Sequence, residues 1–214
     1  QQTNHMIGKT LISFMIDFFD RRDRVNIDIG IRCPLQCPKC SRQEVYKKHN
    51  LKIPGKDMSF DIFHKISDHY HKVIFCGQVS DPIHHPKLID FLDILKRKNK
   101  DTSVHTASGH KSKDWFIKAF KAHTGARWLF GIDGLPEVSH KYRINQDGVK
   151  LFNIMLEARK YLIQRPVWQY IIMDFNEKYL KEARQIAKDN NLELKEIFDR
   201  KNLKEGGYID SFKT

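Results

Sequence analysis

The sequence lacks any apolar run long enough to cross a membrane, and its longest ones, such as "TLISFMIDFF" at residues 10–19, are interrupted by charge. It also lacks the secretory pattern of a basic stretch, a long apolar core and a small-residue cleavage site. A cytoplasmic protein with no membrane partner is therefore expected. Low-complexity tracts and long linkers are missing as well, so 214 residues predict essentially one domain.

Cysteine is scarce, with four residues in the chain and none after Cys76. Three of them fall within eight positions in "IRCPLQCPKCSRQ" at residues 31–43. Such crowding does not make a disulfide framework, and in a reducing compartment it more often marks a metal site. Zinc would need a fourth ligand, such as Cys76 or a histidine, whereas a four-iron cluster held by three cysteines leaves one iron open. The spacing alone is compatible with either metal.

Acidic residues are in deficit, with 26 Asp and Glu against 38 Lys and Arg, for a net charge of +12. A basic surface attracts polyanions, so nucleic acid is one candidate partner and an acidic electron carrier is another. The basic residues are dispersed among acids, which is also typical of an ordinary soluble surface. A G-x-S-x-G nucleophile elbow and a P-loop are both missing from the sequence.

Strand and helix patterns alternate along the chain. The predicted strands are residues 25–31, 72–77, 102–108, 127–133, 167–173 and 192–198. The predicted helices are residues 59–70, 85–99, 112–125, 147–164 and 176–191, the last capped by Asn176. This alternation predicts an α/β protein with a parallel, right-handed sheet, and the chain is short for a complete eight-unit barrel of about 250 residues. We therefore expect a parallel (βα)6 partial barrel over residues 25–198, preceded by an extension at 1–24 and followed by a short tail at 199–214.

Four distinctive loops follow the first four predicted strands. They are the cysteine segment, "CGQVSDP" (76–82), "TASGH" (106–110) and "IDGLPE" (132–137). Ligands of parallel α/β folds bind at the carboxyl ends of the strands, where these loops would meet. The sequence therefore predicts an active site at that edge.

Cys33, Cys37 and Cys40, spaced C-x-x-x-C-x-x-C after a first strand, resemble the signature of the radical S-adenosylmethionine (radical SAM) superfamily. The resemblance extends over roughly residues 25–198 and implies an enzyme with a full or partial βα barrel. It implies that the three cysteines hold a [4Fe–4S] cluster whose fourth iron binds the amino and carboxylate groups of SAM. One electron would then split SAM into methionine and a 5′-deoxyadenosyl radical, which abstracts hydrogen from a substrate. A flavodoxin- or ferredoxin-like reductant is implied as partner.

The loops carry further matches to the superfamily. The segment after the second strand resembles its G-G-E-P stretch at Gly77 and Pro82, with Asp81 in place of Glu, and the next loop resembles T-N-G. Lys39 stands where an aromatic residue is usual, and together with Arg32 and Arg42 it would suit a negatively charged cluster. The residues implied to contact SAM or line its site are Gly77, Gln78, Asp81, Thr106, Ser108, Asp133, Arg143 and Gln169.

Several of these residues have ordinary alternatives. Thr106 and Ser108 would cap a turn, Arg143 would pair with Glu137, and Asp133 would cap the "GLPE" turn. Cys76 is better interpreted as a small buried side chain than as a fourth cluster ligand.

The "IDG" segment resembles the SPASM-related branch, which includes peptide-modifying enzymes. With no cysteine after Cys76, we expect a minimal member without auxiliary clusters. The implied substrate is a peptide or an amino-acid-bearing molecule. A nucleobase in tRNA or DNA is the alternative, and a non-catalytic iron–sulfur or zinc nucleic-acid-binding module is a third possibility.

Overall fold

A single six-stranded sheet organises the protein, whose computed structural model describes residues 23–50 and 55–198. All neighbouring strands are parallel and follow chain order from the first to the sixth. The strands are β1 Arg24–Ile27, β2 Lys72–Phe75, β3 Asp101–Thr106, β4 Arg127–Gly131, β5 Val167–Ile172 and β6 Glu193–Phe198. The open parallel sheet confirms the prediction of a partial barrel.

Helices connect the successive strands. They are α1 Ser41–His49, α2 Phe60–His69, α3 Leu88–Arg97, α4 Lys113–Ala122, α5 Gly148–Ala158 and α6 Leu180–Asp189. Short 3-10 turns at Pro82–His84, Ser139–Lys141 and Glu177–Tyr179 precede α3, α5 and α6. Among the helices of residues 23–50 and 55–198, none is long and apolar enough to cross a membrane.

Some element boundaries differ from the sequence prediction. Helix α3 begins at Leu88 rather than 85, because Pro82–His84 forms a separate turn capped by Asp81. Helix α5 ends at Ala158 rather than 164. After Ala158 the backbone N–H groups begin to donate to the carbonyl three residues earlier, as in a turn, for example from Lys160 N to Glu157 O at 3.0 Å. Helix α1, directly after Cys40, was not predicted.

The prediction that Asn176 caps the last helix is wrong, because its side chain faces back toward β5. The Asn176 amide accepts from the Met173 N–H at 2.8 Å and donates to the Ile171 carbonyl at 2.9 Å. A 3-10 turn at Glu177–Tyr179 then leads into α6. The predicted N-terminal extension and C-terminal tail lie almost entirely outside the described residues.

Aromatic side chains fill the space between the sheet and the helices. Phe63 of α2 stacks on Phe91 of α3 with ring centroids 3.9 Å apart, and also faces Phe75 of β2 at 6.1 Å. A second group, from α4 and β4, places Phe120 edge-on to Trp128 at 4.9 Å. All five side chains are fully buried. The helices are therefore fixed to the outer face of the sheet, which leaves the carboxyl edge available for loops.

Replacing Phe63 with alanine is expected to lower the free energy of unfolding by about 3–5 kcal/mol, because it leaves a cavity beside two stacked rings. The matched control is Ile62→Ala, one residue away and 53% exposed, which should cost less than about 1 kcal/mol. Urea unfolding followed by circular dichroism measures both values. Equal losses in the two variants would contradict the packing described for α2.

Candidate cofactor site at the carboxyl edge of the sheet

A cavity of about 340 Å³ lies at the carboxyl ends of the strands. Its wall includes the three motif cysteines, Cys33, Cys37 and Cys40. Six of the eight residues that the sequence assigned to SAM also border it, namely Gly77, Gln78, Asp81, Thr106, Arg143 and Gln169. Ser108 and Asp133 are fully buried behind this wall. The structure therefore brings the loops together at the predicted edge, while the roles of the individual residues remain predictions.

The cysteine loop is held by the segment that follows β4. The Gln36 N–H donates to the Ile144 carbonyl at 3.1 Å, and the Asn145 amide donates to the Pro34 carbonyl at 3.2 Å. Within the loop, the Cys40 N–H donates to the Cys37 carbonyl at 3.1 Å, just before α1 begins. These contacts hold the cysteine loop at the cavity, which all three cysteines border.

The thiols lie in a largely buried environment. Burial raises the pKa of Cys33 to about 12, and the nearby Asp81 charge adds to the shift. Burial also raises the pKa of Cys37, although the Arg143 guanidinium opposes that effect. Metal ligation requires the thiolate, so binding of iron here would displace protons.

Two arginines flank these thiols. Arg143 Nη1 donates to Cys37 Sγ at 3.8 Å. Arg42 Nη2 donates to the Leu35 carbonyl at 2.8 Å, and its charge lowers the pKa of Cys33. The Nε of Arg42 is buried without a hydrogen-bond partner among the described residues. Arg32, grouped with them from the sequence, instead bonds to Asp57 and to the His84 carbonyl.

The donor set fits a [4Fe–4S] cluster. In the part of the chain that the structure describes, no three His, Cys, Asp or Glu side chains are grouped to ligate a single metal ion. A cubane has a different requirement, because each thiolate binds a separate iron. The three cysteines border one cavity, and the buried Nε–H of Arg42 has no hydrogen-bond partner among the described residues. Both features suit an anionic cluster.

Asp28, which follows β1, organises the loop after β2. Its carboxylate accepts from the N–H groups of Gln78 and Val79 at 3.2 Å and from the Ser80 hydroxyl at 2.8 Å. Gly77 opens this loop with φ +61°, and an added Cβ would lie 3.0 Å from the Ser80 carbonyl oxygen. Asp28 was not predicted as a site residue, although the acidic residue that ends "VNID" lies at the carboxyl end of the first predicted strand.

Asp81 and Thr106 form a buried hydrogen bond with each other. The buried Asp81 carboxylate accepts from the Thr106 hydroxyl at 2.9 Å and from the N–H groups of Ala107 and Ser108 at 2.9 and 3.0 Å. Burial raises the pKa of Asp81 to about 6, while these donors oppose the shift. The loops after β2 and β3 are thus joined by one carboxylate, and both residues still border the cavity.

Ser108 lies outside the cavity in a small histidine network. Its hydroxyl is 2.9 Å from His84 Nε2 and 2.9 Å from His110 Nδ1. Burial lowers the pKa of His84 to about 4, so that imidazole is neutral at pH 7. The hydroxyl is therefore engaged by two imidazole rings of the protein itself.

Asp133 forms an ion pair with Arg143. Arg143 Nε donates to Asp133 Oδ2 at 2.7 Å, and the other carboxylate oxygen accepts from the Ile171 N–H of β5 at 2.8 Å. The expected alternative partner of Arg143, Glu137, is therefore replaced by Asp133. Asp133 is 0% exposed, so its carboxylate acts on β5 and Arg143 rather than in the cavity.

The inner face of the sheet contributes polar residues that the sequence argument did not single out. His105 and Gln169 both border the cavity. Burial together with the charges of Lys195 and Arg127 lowers the pKa of His105 to about 4. Lys195 is paired in register with Gln169, so both side chains lie on the same face. In a strand every second side chain lies on the same face of the sheet. Applying that alternation to the strands on either side of β5 would have been the sequence signal for these residues.

No family model matches the sequence, and no curated protein matches it. Among solved structures, Streptococcus suis SuiB bound to S-adenosylmethionine aligns with a TM-score of 0.65 at 9% identity, over 82% of this chain and 40% of SuiB. SuiB bound to its precursor peptide SuiA gives 0.64 at 8% identity, over 82% and 39%. Methylornithine synthase (PylB) gives 0.58 at 11% identity, over 82% and 52%. SuiB and PylB are radical SAM enzymes.

This chain has the radical SAM fold. The fold implied by the sequence resemblance is thereby confirmed, at identities that carry no information on individual residues. The chain spans about two fifths of SuiB and about half of PylB.

Substituting Asp28 with asparagine is expected to destabilise the protein by about 1–3 kcal/mol, because an amide group cannot accept from all the donors that surround the carboxylate. Asp90→Asn is the control, since Asp90 is half-exposed and pairs with Lys87 at 3.8 Å. Urea unfolding of the metal-free proteins gives both values. A loss for Asp28→Asn no larger than the control's would show that the loop after β2 does not depend on this carboxylate.

Proposed function

We propose that this chain is a radical SAM enzyme that binds one [4Fe–4S] cluster through Cys33, Cys37 and Cys40. The observation that supports this most is the meeting of these cysteines with the loop that begins at Gly77 around one cavity, in a protein with the radical SAM fold. When bound, the reduced cluster supplies the electron that splits SAM into methionine and a 5′-deoxyadenosyl radical, which takes a hydrogen atom from the substrate.

The chain's own residues would prepare the site for that reaction. Cys33, Cys37 and Cys40 would hold the cluster through three of its irons and would leave the fourth for SAM. Asp28 and Asp81 hold the loops after β2 and β3 in fixed positions, so SAM would meet a preorganised wall. Leu129 and Ile171 line the inner face and keep part of the cavity apolar, which helps to exclude water from a reactive radical.

We further propose a peptide or amino-acid-bearing substrate. SuiB binds the precursor peptide SuiA, and PylB is a methylornithine synthase, so two proteins with this fold handle such molecules. Lys195, on the same face as Gln169, would add a positive charge suited to a substrate carboxylate. A flavodoxin- or ferredoxin-like protein would deliver the electron, and the net charge of +12 suits an acidic carrier.

Anaerobic reconstitution with iron and sulfide tests the cluster and the cleavage of SAM. We expect about four irons per chain, visible absorbance, and 5′-deoxyadenosine formed from SAM after reduction by dithionite. Alanine at Cys33, Cys37 or Cys40 should abolish the product and most of the iron. Cys76→Ser is the matched control. Cys76 is half-buried rather than buried as expected and also borders the cavity, but it lies outside the motif and its thiol donates to Asp28 at 3.7 Å, so this variant should retain the cluster. A colourless zinc protein with no SAM cleavage would refute the proposal.

The substrate class is tested with two pools. Reduced, reconstituted protein and SAM are incubated with a synthetic peptide library or with total tRNA, and products are analysed by mass spectrometry. We expect SAM-dependent mass changes among the peptides. Changes restricted to nucleosides would favour the nucleobase alternative, which the basic charge supports.

A further inference from the structure

The guanidinium of Arg143 is directed by three fixed contacts. Its Nε donates to Asp133, its Nη1 donates to Cys37 Sγ at 3.8 Å, and its Nη2 faces Gly131, where an added Cβ would lie 3.3 Å away. The side chain is only 16% exposed. A charged group is thus held against the sulfur of one of the three motif cysteines.

We propose that Arg143 is a positioning residue that raises the reduction potential of the cluster through the Cys37 thiolate. This inference rests on the proposed function, because it requires a cluster on Cys33, Cys37 and Cys40. A hydrogen bond to a ligating sulfur stabilises the more negative, reduced form, and so does a nearby positive charge. Asp133 opposes part of that charge, but Arg143 has the larger effect at Cys37 and is the partner that donates to the sulfur. Burial strengthens the effect, since solvent screens the guanidinium only weakly.

Asp133 keeps the guanidinium in place. Its carboxylate is fully buried and is fixed on the other side by the Ile171 N–H of β5. The ion pair therefore connects β5 to the cysteine loop through Arg143. The absence of a side chain at Gly131 avoids crowding at Nη2, since an added Cβ would lie 3.3 Å from that nitrogen.

This role differs from the SAM-carboxylate role implied by the resemblance. Two of the guanidinium's nitrogens are already engaged, with Asp133 and with Cys37. An effect that passes through Cys37 is present before SAM binds. The two roles can therefore be separated by measurements on SAM-free protein.

The test is the midpoint potential of the reconstituted, SAM-free cluster, measured by potentiometric titration with EPR detection in wild type, Arg143→Gln and Arg32→Gln. Arg32→Gln is the matched control, because it removes the same charge from the residue that precedes Cys33 in the chain. The Arg32 guanidinium bonds to Asp57 and to the His84 carbonyl rather than to a cysteine sulfur. We expect Arg143→Gln to make one-electron reduction about tenfold less favourable, equivalent to ~59 mV. Arg32→Gln should remain close to wild type.

Arg143→Lys provides a second variant in case the glutamine protein holds its cluster poorly. Its single ammonium cannot reproduce the fork that joins Asp133 to Cys37, so we expect a smaller decrease in potential. Midpoint potentials of both Arg143 variants equal to wild type, with only SAM affinity reduced, would overturn the inference. Loss of the cluster from both folded variants would also overturn it, since Arg143 would then be needed for assembly.

The inference and the proposed function fail in different ways. If the wild-type protein takes up no [4Fe–4S] cluster, the proposed function is wrong and the inference falls with it. If the wild type cleaves SAM and the potentials of all variants agree, only the role of Arg143 is wrong.

Discussion

Buried polar groups must find hydrogen-bond partners, and the carboxyl edge of this sheet meets that requirement with a series of aspartates. Each aspartate follows one strand and bonds to backbone N–H groups of the next one or its loop: Asp28 to the loop after β2, Asp81 to the loop after β3, and Asp133 to β5. A carboxylate accepts several hydrogen bonds at once, so one residue per strand is enough to hold each loop. The cavity has a defined shape because these loops cannot move independently.

The cysteine loop is attached to this framework by different contacts. Backbone and amide hydrogen bonds from Ile144 and Asn145 hold it against the segment after β4, and Arg143 reaches Cys37 from the same segment. Two arginines beside the thiols oppose the negative charge that an iron–sulfur cluster would bring. The segment between β4 and α5 therefore serves two purposes, since it holds the cysteine loop in place and supplies a positive charge beside Cys37.

The fold persists where sequence identity does not. SuiB and PylB share the arrangement of this chain at 8–11% identity, which indicates that the parallel sheet and its covering helices tolerate almost complete replacement of side chains. Apolar periodicity is sufficient to specify such a sheet. The spacing of three cysteines after the first strand is a far more specific feature, and it pointed to the same fold from the sequence alone.

The sequence by itself determined the order of strands and helices, the parallel sheet and the edge at which the loops meet, because hydrophobic periodicity and chain direction are local properties. It also placed the three cysteines at that edge. Only the tertiary structure decided the partners of the charged residues. Asp133 rather than Glu137 pairs with Arg143, and Asp81 bonds to Thr106. Asp28 holds the loop that begins at Gly77, His105 borders the cavity, and the exposed Lys195 lies on the same sheet face as Gln169. These contacts connect residues far apart in the chain, and their energies depend on burial and distance, which no local pattern records.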